Sequence, residues 1–175
     1  MSVASTQVGD NPDGPAIVWL RQDLRLADNP ALAAAVASGR PIIPLYVLDE
    51  TAPPLGGASL WWLDKSLASL DASLRALGSR LILRRGDPAH QIGEIIASAG
   101  AGAVVWNRLY DKHSVARDSA LKSDLSSDGI ESRSFDGSLL VEPWTVKSGS
   151  GDPYKGFTPF WRAARGVFVD RPAFA

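Results

Sequence analysis

The chain has 175 residues, and its 18 lysines and arginines against 19 aspartates and glutamates give a formal net charge of −1. This balance lacks the basic excess that is typical of proteins that hold nucleic acids, so we expect no direct DNA binding. Cysteine is absent and histidine occurs twice, which excludes disulfides, thiol catalysis and metal sites built from cysteine or from several histidines. Hydrophobic residues make up 45% of the chain and charged residues 21%, values typical of a single globular domain.

The amino-terminal segment predicts neither export nor membrane insertion. Residues 1–15 lack the basic start and the apolar run of a secretory signal, and we expect them to form a disordered tail. No apolar run approaches the roughly 20 residues that cross a bilayer, so we predict no membrane partner and a cytoplasmic location.

The first predicted strand, residues 16–20, changes abruptly into a polar segment, RQDLRLADNP, over residues 21–30. A strand that ends in fixed polar groups and leads into a helix is how an open α/β sheet builds a ligand crevice. Arg21 and Asp23 stand at that strand end. For these two residues, ligand binding and a salt-bridge network that fixes the turn are equally favoured.

Helices and strands then alternate along the chain. A first helix over residues 30–38 is capped by Asp28 or Asn29. A leucine stripe predicts the longest helix, which begins with Ser59 as its cap and ends at Gly78. A further helix is predicted after the Asp87-Pro88 cap, with Ile92, Ile95 and Ile96 facing the core, and two more at residues 114–126 and 160–165. Strands are predicted at residues 16–20, 41–48, 80–84, 103–106 and 131–135.

This alternation predicts an α/β fold with a parallel sheet that is covered by helices on both faces. Right-handed crossovers then favour a Rossmann-like three-layer sandwich with five strands. Pro44 removes one ladder donor, so the second strand is expected to be irregular near its start. After Asp136 the pattern stops, and residues 137–156 predict a long loop.

Polar residues also follow the second and fourth predicted strands. Asp49 and Glu50 end the second strand, and Asn107 and Arg108 end the fourth. Because the carboxyl ends of parallel strands share one edge of the sheet, these residues are further candidates for the ligand crevice.

Residues 17–32, IVWLRQDLRLADNPAL, resemble the opening of the DNA photolyase/cryptochrome family. Later segments resemble the same family, and together the matches cover residues 16–165. These segments are SLWWL at 59–63, WNRLY at 106–110, Arg117-Asp118, SFDGSLL at 134–140, EPW at 142–144 and PYKGFTPFW at 153–161.

The resemblance implies the strand order 3-2-1-4-5, which reverses between the first and fourth strands. It also implies that an antenna chromophore occupies the crevice at this reversal, and the cofactor-binding candidates are then Arg21, Asp23, Asp49, Glu50, Asn107 and Arg108. FMN or a deazaflavin is the expected chromophore. Folate is less favoured, because His113-Ser114 stands where folate-binding relatives supply an amide and a carboxylate.

The resemblance further divides the chain into an α/β domain at residues 16–136 and a connecting segment at residues 137–175. In the family, that segment leads to a helical domain that binds the catalytic FAD. We therefore expect in this chain neither FAD, nor catalytic residues, nor the lyase activity of deoxyribodipyrimidine photolyase. The large apolar groups of residues 139–168 predict contact with that helical domain, or self-association. They are Leu140, Trp144, Phe157, Phe160, Trp161 and Phe168.

Two other functions remain as alternatives. One is a stand-alone nucleotide-binding module similar to universal-stress-type domains, and the other is a protein-interaction module. The first is disfavoured because no glycine-rich phosphate loop follows a strand.

Overall fold

A computed structural model describes residues 13–167 and Ala173. It contains a five-stranded parallel sheet in the order β3-β2-β1-β4-β5, which confirms the predicted α/β class and strand order. The strands are β1 (Ala16–Leu20), β2 (Ile42–Asp49), β3 (Ile82–Gly86), β4 (Ala103–Asn107) and β5 (Glu131–Phe135). The helices are α1 (Pro30–Ala37), α2 (Gly57–Ala76), α3 (Pro88–Ala99), α4 (Lys112–Ser127) and α5 (Phe157–Val167). Most of the predicted disordered tail, and Phe168 of the connecting segment, lie outside the described residues.

The central strand β1 fixes the position of the crevice. It pairs with β2 from Ala16 opposite Ile42 onward, and with β4 from Ala16 opposite Ala103 onward. The chain leaves β1 toward β2 on one side and returns to β4 on the other. The strand order therefore reverses between β1 and β4, where open α/β sheets bind their ligands.

Both faces of the central strands β1 and β4 are buried, as expected for parallel strands, whereas the edge strands β3 and β5 are partly exposed. Alternate residues of β1 point to opposite faces. Ile17 and Trp19 pack with the isoleucines of α3 and the leucines of α4. Val18 and Leu20 pack on the opposite side with α1 and with the second half of α2. Every residue of β1 and β4 is buried, so the two strands on either side of the reversal form a rigid centre of the sheet.

Several predicted boundaries were wrong by a few residues. Helix α2 begins at Gly57 rather than after a Ser59 cap, because the extended backbone of Gly56 already accepts the first helical hydrogen bond from Leu60. Helix α4 begins at Lys112, since the carboxylate of Asp111 caps it by accepting a hydrogen bond from the Ser114 amide at 2.9 Å. Helix α5 begins at Phe157, three residues before the predicted start at residue 160.

The start of β2 shows the irregularity that Pro44 predicts. Ile42, Ile43 and Pro44 pair with β1, but the ladder with β3 begins only at Leu45, opposite Ile82. The missing donor of Pro44 therefore lies just outside the part of β2 that is paired on both sides.

Candidate functional site

A crevice of about 710 Å³ opens at the carboxyl ends of β1 and β2, against the amino end of α4. Its volume lies in the range of small-molecule and cofactor sites, roughly 300–1,000 Å³. Its wall combines apolar side chains with a few polar ones. They are Trp19, Arg21, Gln22, Tyr46, Val47, Leu48, Asp49, Glu50, Ala52, Pro53, Pro54, Leu55, Leu60, Arg85, Leu109, Asp111, His113, Ser114 and Arg117.

The crevice contains three of the six predicted site residues: Arg21, Asp49 and Glu50 line it. Asp23, Asn107 and Arg108 do not stand among its lining residues, although they belong to the same edge of the sheet. Glu50 is exposed at the rim and forms an ion pair with Arg85, which also lines the crevice.

A chain of ion pairs forms the polar floor of the crevice. Arg21 Nη1 lies 2.8 Å from Asp118 Oδ2, Arg117 Nη2 lies 3.0 Å from Asp118 Oδ1, and Arg117 Nη1 lies 2.7 Å from Asp49 Oδ2. These side chains are only 8–14% exposed. Two guanidinium groups thus balance two carboxylates, and the floor is rigid and close to neutral.

Burial and pairing act in opposite directions on the charges of this floor. Burial lowers the pKa of Arg21, and the charge and hydrogen bonds of Asp118 oppose that shift without cancelling it. For Asp49, burial alone would raise the pKa. Hydrogen bonds from Thr51 and Arg117, together with the positive charge of Arg117, outweigh burial and hold the pKa below its ordinary value. Asp49 is therefore a carboxylate at neutral pH.

Trp19 lies against both arginines of the floor. The guanidinium carbons of Arg21 and Arg117 lie 4.5 Å and 4.8 Å from its ring centroid, a geometry that allows cation–π attraction. Its ring also meets Trp106 edge-on at 6.0 Å. The buried Nε1 of Trp19 has no hydrogen-bond partner among residues 13–167 and 173.

Asp23 and Asn107 form a separate buried network with Asn29. Asn107 Nδ2 donates to Asp23 Oδ2 at 2.6 Å and to Asn29 Oδ1 at 2.7 Å. Asn107 Oδ1 accepts a hydrogen bond from the Ala31 amide at 3.1 Å. This network fastens the turn between β1 and α1 to the end of β4 through hydrogen bonds rather than through salt bridges.

Arg108 joins β4 to the connecting segment. It forms an ion pair with Glu142 and donates to the Ser134 carbonyl at 2.6 Å, and its guanidinium lies 5.7 Å from the ring of Trp144. Burial alone would lower the pKa of Arg108, but the hydrogen bonds and charge of Glu142, with those of Tyr110, raise it.

Comparison with known proteins places this architecture in one family. The DNA photolyase family model matches residues 16–174. The chain is 52% identical over 152 residues to a deoxyribodipyrimidine photo-lyase of Agrobacterium fabrum, a match that covers 87% of this chain and 32% of that protein. It is 45% identical over 157 residues to cryptochrome-1 of Arabidopsis thaliana, covering 87% of this chain and 23% of that one. The chain belongs to the DNA photolyase family.

Solved structures agree with this assignment to the photolyase family. A bacterial class III photolyase from Agrobacterium tumefaciens superimposes with a TM-score of 0.87 at 47% identity, over 99% of this chain and 35% of that one. An archaeal photolyase from Sulfolobus tokodaii, described with two FAD molecules, superimposes with a TM-score of 0.75 at 25% identity, over 91% of this chain and 36% of that one. The chain therefore spans about a third of the length of these photolyases.

The site of this photolyase-family chain includes residues that the sequence did not single out as ligand-binding. Tyr46, His113 and Arg117 all line the crevice. Burial, followed by the charge of Asp49, raises the pKa of Tyr46, so its hydroxyl stays protonated and can donate. Tyr46 lies inside an apolar strand run and gave no signal. Arg117 was visible only as part of the Arg117-Asp118 pair that resembles the photolyase family.

Every helix in the described part of the chain is too short or too polar to span a membrane.

Proposed function

We propose that this chain is the antenna-chromophore-binding domain of a photolyase or cryptochrome, and that its crevice holds a planar, flavin-like chromophore such as FMN or a deazaflavin. The observation that carries this proposal is the cofactor-sized crevice of mixed polarity at the carboxyl ends of β1 and β2, beside the reversal of strand order between β1 and β4. A bound antenna supplies light absorption and passes the excitation energy on to the catalytic flavin.

The residues of the crevice fit such a group. Apolar side chains at the mouth, including Pro54, Leu55 and Leu60, suit the faces of a planar ring. The floor supplies a carboxylate at Asp49 and a protonated hydroxyl at Tyr46, which suit the polar edge of a heteroaromatic ring or a ribityl chain. The buried Nε1 of Trp19 is a further donor in the crevice wall that lacks a protein partner within the described ranges. These groups bind and orient the chromophore.

Two considerations favour a flavin over a folate. The archaeal photolyase from Sulfolobus tokodaii is described with two FAD molecules and a novel light-harvesting cofactor. In this chain, the carboxylate nearest His113 and Ser114 is Asp111, which is engaged as the cap of α4. The hydrogen bond from the Ser114 amide is the main cause of the lowered pKa of Asp111. Asp111 therefore stays a carboxylate in this capping role.

The proposed domain order is an α/β domain at residues 16–136 followed by a connecting segment at residues 137–175. In the longer relatives, about two thirds of the sequence lies outside the region that this chain matches. A helical FAD-binding domain in that remainder suits the exposed apolar side chains of the connecting segment. The family match disfavours a stand-alone nucleotide-binding module.

Ligand titration of two variants tests the proposal. Ala52→Trp places a large ring in the crevice wall and should weaken FMN or deazaflavin binding by about tenfold or more, because it fills the volume that the chromophore needs. Tyr46→Phe removes one donor and should weaken binding by about fivefold. The measurement is fluorescence titration with FMN, a deazaflavin and a reduced folate.

Two variants serve as controls. Ala72→Trp, on the exposed side of α2, is the control for Ala52→Trp, and Tyr154→Phe, in the connecting segment, is the control for Tyr46→Phe. Both controls should leave chromophore binding unchanged. Tight folate binding without a flavin response would contradict the chromophore class, and flavin binding that survives Ala52→Trp would contradict the site.

A further inference from the structure

The opposite end of the sheet carries a second cavity, of about 540 Å³, which we name the edge notch. It lies where β3 begins later than β2. Ile42, Ile43 and Pro44 have no partner in β3, because the chain before Ile82 turns away toward α2. The Leu81 amide donates to the carboxylate of Asp71 in α2 at 2.9 Å instead of joining the sheet.

The edge notch combines an apolar floor with a basic rim. The floor consists of Ile42, Ile43, Pro44, Ile82 and Ile95. The rim carries three arginines and two serine hydroxyls, and none of the described residues that line it is acidic. The rim residues are Arg75, Arg80, Arg84, Ser79 and Ser98.

Only one of the three arginines of the rim forms an ion pair within the described residues. Arg75 lies in the last turn of α2, where a cation complements the helix dipole, and it forms an ion pair with Asp71 at 2.7 Å. Arg80 and Arg84 form no ion pair with any carboxylate of residues 13–167. Arg84 donates only to the neighbouring Leu83 carbonyl, at 3.1 Å, among the hydrogen bonds of the described chain. A chain with a net charge of −1 thus concentrates uncompensated positive charge at one cavity.

We propose that the edge notch binds a small organic anion that carries a phosphate or carboxylate group on an apolar body. The guanidinium fork of arginine matches the two oxygens of such a group and binds it in bidentate fashion. The isoleucine floor provides the apolar surface that an inorganic anion would not use. This site is separate from the crevice at the carboxyl ends of the strands, since the two cavities share no lining residue.

Amide chemical shifts test the proposal directly. Phenyl phosphate, benzoate and inorganic phosphate are each titrated into the ¹⁵N-labelled chain, and the amides of Ile43, Ile82 and Ser98 are followed. Phenyl phosphate or benzoate should shift these amides in a saturable manner, with an affinity at least about tenfold higher than that of inorganic phosphate. The stronger of the two identifies the anionic group.

Two double variants that remove the same charge distinguish a specific binding site from nonspecific electrostatic attraction. Replacing both Arg80 and Arg84 by alanine should weaken binding by about tenfold or more. Replacing both Arg162 and Arg165, which are exposed on α5, removes the same charge and should change affinity by less than about twofold. Ala52→Trp, which fills the crevice, should have no effect here.

The absence of shifts in the notch, an equal loss in both double variants, or inorganic phosphate binding as tightly as the organic probes would overturn this proposal. Because the proposed chromophore site is tested by Ala52→Trp and the notch by the Arg80 and Arg84 pair, either proposal can fail without the other.

Discussion

At the residue scale, the buried polar groups near the crevice divide into two sets with different tasks. Asp23, Asn29 and Asn107 satisfy one another and close the turn between β1 and α1. In the second set, Asp118 pairs with both Arg21 and Arg117, and Arg117 also pairs directly with Asp49. Arg21, Arg117 and Asp49 still border the cavity. A buried polar group that loses its partner costs more than the bond itself contributed, so each set should respond cooperatively to the loss of one member.

Asn107→Ala should lower the free energy of unfolding by about 2–5 kcal/mol, because it removes the buried hydrogen bonds that Asn107 makes to Asp23 Oδ2, to Asn29 Oδ1 and with the Ala31 amide. Urea denaturation measures the change. The matched control is Ser73→Ala, which removes one exposed hydrogen bond and should cost less than about 0.5 kcal/mol. A loss below about 1 kcal/mol, with weaker ligand binding instead, would assign Asn107 to the crevice rather than to the turn.

At the scale of single elements, helix ends are set by backbone geometry as much as by side-chain caps. Helices α1, α3 and α4 are capped by Asn29, Asp87 and Asp111, whose side chains accept amide hydrogen bonds. Helix α2 begins at a glycine without a side-chain cap, and its C-terminal end is followed by Gly78 at φ +79°. The positive φ reverses the chain so that the amides of Gly78 and Ser79 close the last carbonyls of α2.

Two glycine-to-alanine substitutions should shift stability in opposite directions. Gly93 lies on the exposed side of α3, and a Cβ there would meet no atom within 4 Å, so Gly93→Ala should stabilise the fold by about 1 kcal/mol through helix propensity. Gly78 also has open space around it, yet Gly78→Ala should destabilise by about 1 kcal/mol because the left-handed backbone strains any Cβ. Thermal unfolding of both variants measures the difference. If both substitutions changed the stability in the same direction, backbone conformation would not explain the difference between the two positions.

At the scale of the whole molecule, the connecting segment leaves a large apolar surface uncovered. Leu140 is 73% exposed and Phe157 is 75% exposed, and three further aromatic side chains of the segment are also exposed. Phe157 and Trp161, one turn apart on α5, stack in parallel with ring centroids 6.3 Å apart. Exposed apolar groups gathered in one segment mark a contact with another domain or chain.

The chain by itself should therefore self-associate through this segment. Replacing both Phe157 and Trp161 by serine should weaken association by about tenfold or more, because it removes two aromatic rings from the contact. Sedimentation velocity over a range of concentrations measures the effect. The control replaces Trp61 and Trp62, an equally exposed aromatic pair on α2, and should leave association unchanged. A chain that stays monomeric at all concentrations would contradict the prediction.

The sequence by itself determined the architecture. Runs of apolar residues of strand length, separated by helical periodicity and by capping residues such as Asp87, specify elements through local energetics alone. The five parallel strands follow from that alternation, and the bounds of β5 agree with the prediction at both ends. The resemblance over residues 17–32 pointed to the family and to the strand order that the structure contains.

Only the tertiary structure decided which polar residues face the crevice. Asp23 follows β1 and Asp49 ends β2, yet Asp23 is held by Asn107, 84 positions away, and Asp49 by Arg117, 68 positions away. Strand periodicity determines the side of the sheet that a residue faces, but not the partner that the crossovers bring to it. The edge notch has the same origin, since it depends on where β3 starts relative to β2. Such juxtapositions are set by the register and packing of distant segments, which no local pattern encodes.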